Sequence, residues 1–281
     1  MGKFKNYLLL TLVFFAGVLA SSIVTTILAH GGDTNFIHGC IRPLGLLRII
    51  GANDNCAQNE TALDWNKGSI FSTYPVCPNC DLTSQTLIGL DLSRAYFIDA
   101  NLNGLNLSGA TLINANLERA LLSNANLSNS NLSNASAGGV DFSNSNMTNV
   151  NLYGASVSAN FESAILVGAN FNNTSAGEAN FSSADFSGAT MQSVYLNQSN
   201  LSNANLTNTN LTDVFMSQVN LMNVEWNSSN LTNVDLTHAD LTGSLNFDTT
   251  TRTGVVYFNT ICPDGTNSDD NGGTCEGHLT P

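Results

Sequence analysis

Large apolar residues recur every fifth position over more than half of this chain. Leu82, Leu87, Leu92 and Phe97 begin a series that runs through Leu102, Leu107, Leu112, Leu117, Leu122, Leu127 and Leu132 to Val157. The next member, Phe161, comes only four residues later; the spacing of five then resumes through Leu166, Leu201, Leu206, Leu211, Leu231 and Leu236 to Leu241. Two positions before each large residue sits a small one, as at Ala110, Ala115, Ala169 and Ala204, and the residue between them is often Asn or Asp, as at Asn116, Asn205 and Asp240. The remaining two positions are mostly Ser, Thr, Asn or Gly. A period of five matches neither the 3.6-residue helix nor the 2-residue strand. It matches a coil with corners, in which each side turns one large and one small side chain inward. Four sides give a square coil of about 20 residues, with successive coils stacked at the ~4.8 Å strand spacing. One coil cannot bury its own apolar face, so many must stack.

The run Ala-Asn-Leu-Ser-Asn at 125–129 and Ala-Asn-Leu-Thr-Asn at 204–208 resembles the A(D/N)LXX signature of pentapeptide-repeat proteins. The resemblance covers 80–245 and implies an all-β fold, a right-handed quadrilateral β-helix of about eight coils. Leu102, Leu107, Leu112, Leu117, Leu127, Leu201, Leu206, Leu211, Leu231 and Leu236 are its expected core. The four-residue step from Val157 to Phe161 reads as an adjustment at a corner.

Charged residues make up 10% of the chain against the ~25% usual in globular proteins. With 42% apolar residues there is matter for a core all the same. The net charge of −13 disfavours direct binding to nucleic acid or to an anionic membrane surface. The first lysines, Lys3 and Lys5, precede an apolar run from Tyr7 to Ala29. That order is the pattern of an export signal, and the run is also long enough to remain as a membrane anchor. Either way, residues 1–29 send the rest out of the cytoplasm, and the membrane is met only through that segment if it stays uncleaved, anchored by 7–29.

Six cysteines, Cys40, Cys56, Cys77, Cys80, Cys262 and Cys275, agree with export and read as disulfides. Proximity favours Cys40 with Cys56, Cys77 with Cys80, and Cys262 with Cys275, although other pairings stay open. The CxxC at 77–80 also fits a redox pair or half of a zinc site, but it leads into the coil rather than a helix. Residues 30–79 are expected to form a small disulfide-containing extracellular module. Within them 36–66 resemble a short extracellular bacterial module that precedes elongated stalks or repeats and look like a small hairpin closed by Cys40 and Cys56, with Trp65 at its edge. Residues 246–281 are expected to form a disulfide-closed cap, within which 255–281 are similar to tails that follow secreted pentapeptide arrays. Within that tail, Asn267, Asp269 and Asn271 echo the opening of a calcium loop, but His278 stands where a closing Glu belongs.

No nucleophile–base set and no phosphate-binding glycine loop is visible, and His30, His38, His238 and His278 are scattered. The expected function is a non-catalytic extracytoplasmic scaffold or interaction surface, without cofactor, for a protein or cell-envelope partner. The alternative, implied by the family, is a DNA-mimic binder of a type II topoisomerase.

Overall fold

The computed structural model describes residues 36–41, 47–50, 61–66, 79, 81–83 and 87–281. In the N-terminal part, strands β1 (Phe36–Ile41), β2 (Leu47–Ile50) and β3 (Thr61–Asn66) form an antiparallel sheet in the order β2-β1-β3. The hairpin expected there therefore has a third strand, with Gly39 opposite both Ile49 and Leu63. The export segment, the proposed Cys40–Cys56 and Cys77–Cys80 pairs and the Trp65 contact lie outside the described residues.

From Asp81 onward the chain winds as a β-helix with four ladders of parallel bridges. The first face carries Asp81, Asn101, Leu121, Asp141, Asn160, Asn180, Asn200, Asn220, Asp240 and Ile261. The second runs from Asn106 to Leu245, the third from Asp91 to Thr251, and the fourth from Tyr96 through Tyr195, Phe215 and Asp235 to Val256. In most coils the bridged residues are 20 apart. Ten rungs on the first face make nine coil-to-coil steps, one more than the eight expected.

In most units the five amides find partners in one recurring scheme. In the unit around Leu112, Ala110 bonds back to the Leu107 carbonyl at 3.0 Å, closing a four-residue turn. Leu112 and Asn114 donate forward to Asn131 and Ser133 of the next coil, at 2.6 and 3.0 Å, and Asn131 donates back to Ala110 at 2.9 Å. The residue after the large one has no backbone acceptor. Its amide bonds to the side chain two residues earlier, as Ser128 to Asn126 Oδ1 at 3.1 Å and Thr207 to Asn205 Oδ1 at 3.0 Å. This is why Asn and Asp precede the large residue: a short side chain with an acceptor closes an Asx turn.

Each turn also puts its third residue at positive φ. From Arg94 to Gly243 every corner does so except the one at Val157–Ala159. Left-handed backbone costs an ordinary L-residue roughly 1–2 kcal/mol, least for Asn and nothing for Gly. Hence Asn114, Asn124, Asn129 and Gly109 stand at corners.

The missing residue between Val157 and Phe161 is that corner residue. The ladder survives on both sides, since Asp141 pairs with Asn160 and Ser156 with Ser175, now 19 apart. A compensating insertion follows Leu245. There Asn246 turns left-handed (φ 55°), Phe247–Thr249 forms a 3-10 turn, and bridged residues become 21 apart at Asn230 and Thr251. The ladder then continues to Val256 and Ile261. The repeat therefore runs beyond 245, the boundary set by its apolar frame, and places Phe247, Arg252, Tyr257 and Cys262 at inward positions. The insertion shifts the frame, and Arg252 breaks its apolar character.

All ten leucines of the expected core are buried. Where the fourth face contributes small inward residues, Ala137, Val157 and Ala176, aromatic rings from neighbouring faces fill the bore. Phe142, Phe161 and Phe181 stack at 4.9 and 4.7 Å, one coil apart, with Phe171 and Phe186 set edgewise against them.

Position within the unit dictates mutational cost. Leu206→Ala is expected to cost about 2–5 kcal/mol. Ala204→Leu overpacks a buried corner and is expected to cost about 1–3 kcal/mol. Asn208 faces water but has φ 55°. Asn208→Gly is expected to be nearly neutral, whereas Asn208→Val is expected to cost about 1–2 kcal/mol although it removes no core contact. Thermal melts with hydrogen exchange over 186–226 check the set; equal stability of the two Asn208 variants would refute the left-handed corner.

Buried serines at the small position give a second expectation. Ser229 Oγ donates to the Leu206 carbonyl at 2.6 Å, while Ser199 Oγ is buried without a partner. Ser199→Ala is expected to raise stability by up to ~1 kcal/mol and Ser229→Ala to lower it, as unmatched and matched hydroxyls differ. Denaturant midpoints of the two variants measure the difference in sign.

Candidate functional site

The outer surface is a set of columns, each repeating one position of the unit at coil spacing. Most columns are uniform. On the first face Asn200, Asn180, Asn160 and Asp141 form an amide ladder, each Nδ2 donating to the preceding Oδ1 at 3.0–3.2 Å. These oxygens also hold the Asx turns, so much of this polar surface serves the coil itself.

One corner, between the fourth and first faces, is chemically different. It carries Asp99, Arg119, Gly139, Glu178, Gln198, Gln218, His238 and Asn259, every one at positive φ. Arg119 grips Asp99 one coil earlier with two bonds of 2.8 Å. That pairing holds the Asp99 carboxyl below the usual carboxylate range. Gln198 donates to Gln218 at 2.8 Å, and His238 Nδ1 lies 3.0 Å from Asn259 Nδ2. The shortened corner at 157–159 interrupts this column between Gly139 and Glu178. It leaves a shallow groove of about 370 Å³ lined by Asp141, Ser158, Ala159, Asn160 and Glu178.

The C-terminal end is closed by a clasp. Arg252 stands at an inward position where earlier coils carry Leu231 and Leu211, and its side chain is only 13% exposed. Its Nη1 donates to the carbonyls of Phe247 and Thr250 at 2.6 and 3.2 Å, and its guanidinium lies 5.4 Å from the centre of the Phe247 ring. Glu276, from the tail, accepts two further bonds at 2.9 and 3.2 Å. Beside it Tyr257 is largely buried with its hydroxyl unpartnered, and burial raises its pKa well above the ordinary phenol value. The Cys262–Cys275 disulfide ties the tail across the end of the bore.

The oxygens of the calcium-like loop brace this tail. Asn267 Oδ1 accepts the Asp269 amide at 2.9 Å, Asp269 Oδ1 accepts the Asn259 amide at 2.9 Å, and Asn271 Nδ2 donates to Thr266 Oγ1 at 2.7 Å. The loop resembles a calcium site because both use closely spaced oxygens, here to cap a 3-10 turn at Ser268–Asn271. His278 turns the other way, with Nδ1 2.6 Å from Asp264 Oδ2. Among the described residues no three His, Cys, Asp or Glu side chains converge as a metal site would require.

A family model described as pentapeptide repeats matches eight copies in segments that together span 79–225, just over half of the sequence. The chain belongs to the pentapeptide-repeat family. No curated protein sequence matches it. Solved structures similar to this repeat protein include HetL of the cyanobacterium Nostoc sp. strain PCC 7120, a protein involved in heterocyst differentiation regulation. It is 24% identical, over 69% of this chain and 92% of HetL, with a TM-score of 0.39. Trypsin-treated QnrB1, a plasmid-mediated fluoroquinolone resistance protein, is 23% identical over 58% of this chain and 78% of its own, with a TM-score of 0.42. A pentapeptide repeat protein of the Arabidopsis thaliana thylakoid lumen is 36% identical over 39% of this chain and 63% of its own, with a TM-score of 0.15.

The clasp has a defined acid limit. Burial alone would raise the Asp264 carboxyl; bonds from the Thr266 hydroxyl and amide, and from His278, outweigh it and lower the carboxyl from 3.8 to about 2. A carboxylate depressed by folding stabilises fully above its unfolded value and ceases to do so as pH falls through the folded one. Amides of the tail around Asp264 and Thr266 are expected to stay protected at pH 5 and to lose protection between about pH 4 and 2. Asp264→Asn is expected to abolish that pH dependence in hydrogen exchange.

Proposed function

We propose that this pentapeptide-repeat protein is a non-catalytic extracytoplasmic scaffold whose outer surface binds a protein or cell-envelope partner. The observation that carries the reading is the commitment of so many outward polar groups, through Asx turns and amide ladders, to keeping a long rod rigid. A rigid rod with chemically distinct columns suits display and docking. The basic segment and apolar run at 3–29 support export, and the tail's disulfide suits an oxidising compartment.

The alternative, a DNA-mimic binder of a type II topoisomerase, draws on the acidic charge of the rod. Residues 81–241 hold 12 acidic and 2 basic residues, a net of −10. Eight coils at ~4.8 Å extend roughly 39 Å, a length over which duplex DNA would carry about 23 charges at one per ~1.7 Å. The mimicry is less than half complete by charge, and export would separate the protein from a cytoplasmic enzyme.

A reporter fused after residue 80, active only outside the cytoplasm, is the test. Extracytoplasmic activity is the expected result; activity confined to the cytoplasm would reject the scaffold reading in favour of the topoisomerase one.

A further inference from the structure

The fourth face changes character along the rod. After Tyr96 its outward residues are Asn116, Ser136, Ser156 and Ser175; then come Tyr195, Phe215, Asp235 and Val256. Tyr195 and Phe215 are 52% and 42% exposed and stack face to face, with centroids 4.9 Å apart and planes 5° from parallel. Phe215 occupies the position whose side chain ordinarily accepts the Asx bond. Asn197, one coil earlier, takes over that task, accepting the Ser217 amide through Oδ1 at 2.9 Å. The same substitution of acceptor occurs behind Leu121, where Asn103 holds the Ser123 amide at 2.9 Å. The aromatic residue is thus accommodated by a compensating residue elsewhere in the coil.

Tyr195 covers one face of the Phe215 ring. The other face looks toward Asp235, the next rung, and beyond it toward Val256, which is 52% exposed. Rungs repeat at ~4.8 Å, so Phe215 and Val256 are separated by about two rungs with only a short aspartate between them. Asp235 Oδ1 accepts the Thr237 amide at 2.9 Å, and Asp213, beside Phe215 at the preceding corner, accepts from Asn233 at 2.9 Å through its own Oδ1. These bonds leave the second oxygen of each carboxylate able to accept.

We propose that this slot, walled by Phe215 and Val256 and floored by Asp235 with Asp213 at its rim, docks an arginine side chain of a basic protein partner. The inference rests on the interaction-surface reading above and names the chemistry of the partner. A planar guanidinium is thin enough to continue the Tyr195–Phe215 stack over the open ring face, where the quadrupole attracts a cation. Its N–H groups point outward in the plane, toward the two carboxylates, as charge-assisted bonds require. Lysine offers a point charge without the flat surface. The net charge of −13 draws a basic partner and repels a second copy of the chain.

The test is calorimetric titration of the full chain with a short oligoarginine peptide and an oligolysine peptide of equal length, at low salt. Oligoarginine is expected to bind about fivefold more tightly, the worth of one exposed cation–π contact. Phe215→Ser is expected to remove that preference and leave oligolysine binding unchanged. Asp235→Asn is expected to weaken both peptides, and Tyr153→Ser, at a different corner, neither. These substitutions leave the coil intact, because Asn197 holds the Ser217 amide and the Asp235→Asn side chain keeps an oxygen for Thr237; thermal melts verify this. Equal affinity for the two peptides, a preference that survives Phe215→Ser, or no binding of either peptide would overturn the slot. So would sedimentation of a dimer that Phe215→Ser dissolves, which would assign the face to a second copy. The scaffold reading is decided separately, by the location of the reporter.

Discussion

Each five-residue unit has five amides to satisfy, and most units satisfy them in one repeated way. One closes the turn, three link adjacent coils, and the last bonds to a side chain. Buried or half-buried backbone without partners is costly enough that this accounting governs the structure. The inward positions are chosen by volume, and two of the three outward ones by the backbone. The residue before the large one ordinarily accepts a hydrogen bond, and the second residue after it must tolerate positive φ. The position directly after the large residue is freest of both demands, and there, among many Ser, Thr and Asn, the chain also places Ile88, Tyr153, Glu162 and Met222.

This explains what could be read in the sequence. Leu102 or Leu206 declares its place because apolar residues at a constant spacing have one physical meaning. The polar positions were harder to read. Asn at a corner such as Asn208, and Asn at a rung such as Asn205, look alike in the sequence, but one is there for its backbone and the other for its Oδ1. An outward polar pattern alone does not separate the two demands. The acceptor exchange between Asn197 and Phe215 joins residues nearly one coil apart, and becomes visible only when the register is known. The same holds for the C-terminal end: Arg252 lies in a shifted frame, and a charged residue at an inward position hides the coil it completes.

Two departures from the 20-residue coil show where the fold yields. The deletion at 157–159 removes a corner residue, the insertion at 246–249 adds one, and the rungs on either side remain paired. A face cannot gain or lose a residue, because a one-residue slip would turn its large side chains outward. A corner can, since its left-handed residue contributes no side chain to the bore. The same reasoning applies to the core near residue 171. Ala137, Val157 and Ala176 leave room along one wall, and the stacked rings of Phe142, Phe161 and Phe181 occupy it at coil spacing. The sum of volumes within a coil is held, while the identity at each wall is not, which is how close-packed interiors tolerate exchange.

The end of the bore poses the opposite problem. A last coil lined with leucine would present an apolar mouth and a row of unpaired strand groups, an invitation to end-to-end association. Here the last inward residues are Arg252, Tyr257 and Cys262 in place of leucines. The guanidinium lies against the Phe247 ring while its donors reach the Phe247 and Thr250 carbonyls and Glu276, so one side chain covers apolar surface, satisfies free carbonyls and anchors the tail. The Cys262–Cys275 bond then holds the tail that supplies Glu276. A largely buried arginine would be unfavourable without these partners. With them it closes the solenoid, a charged residue in the inward register that stabilises the coil behind it.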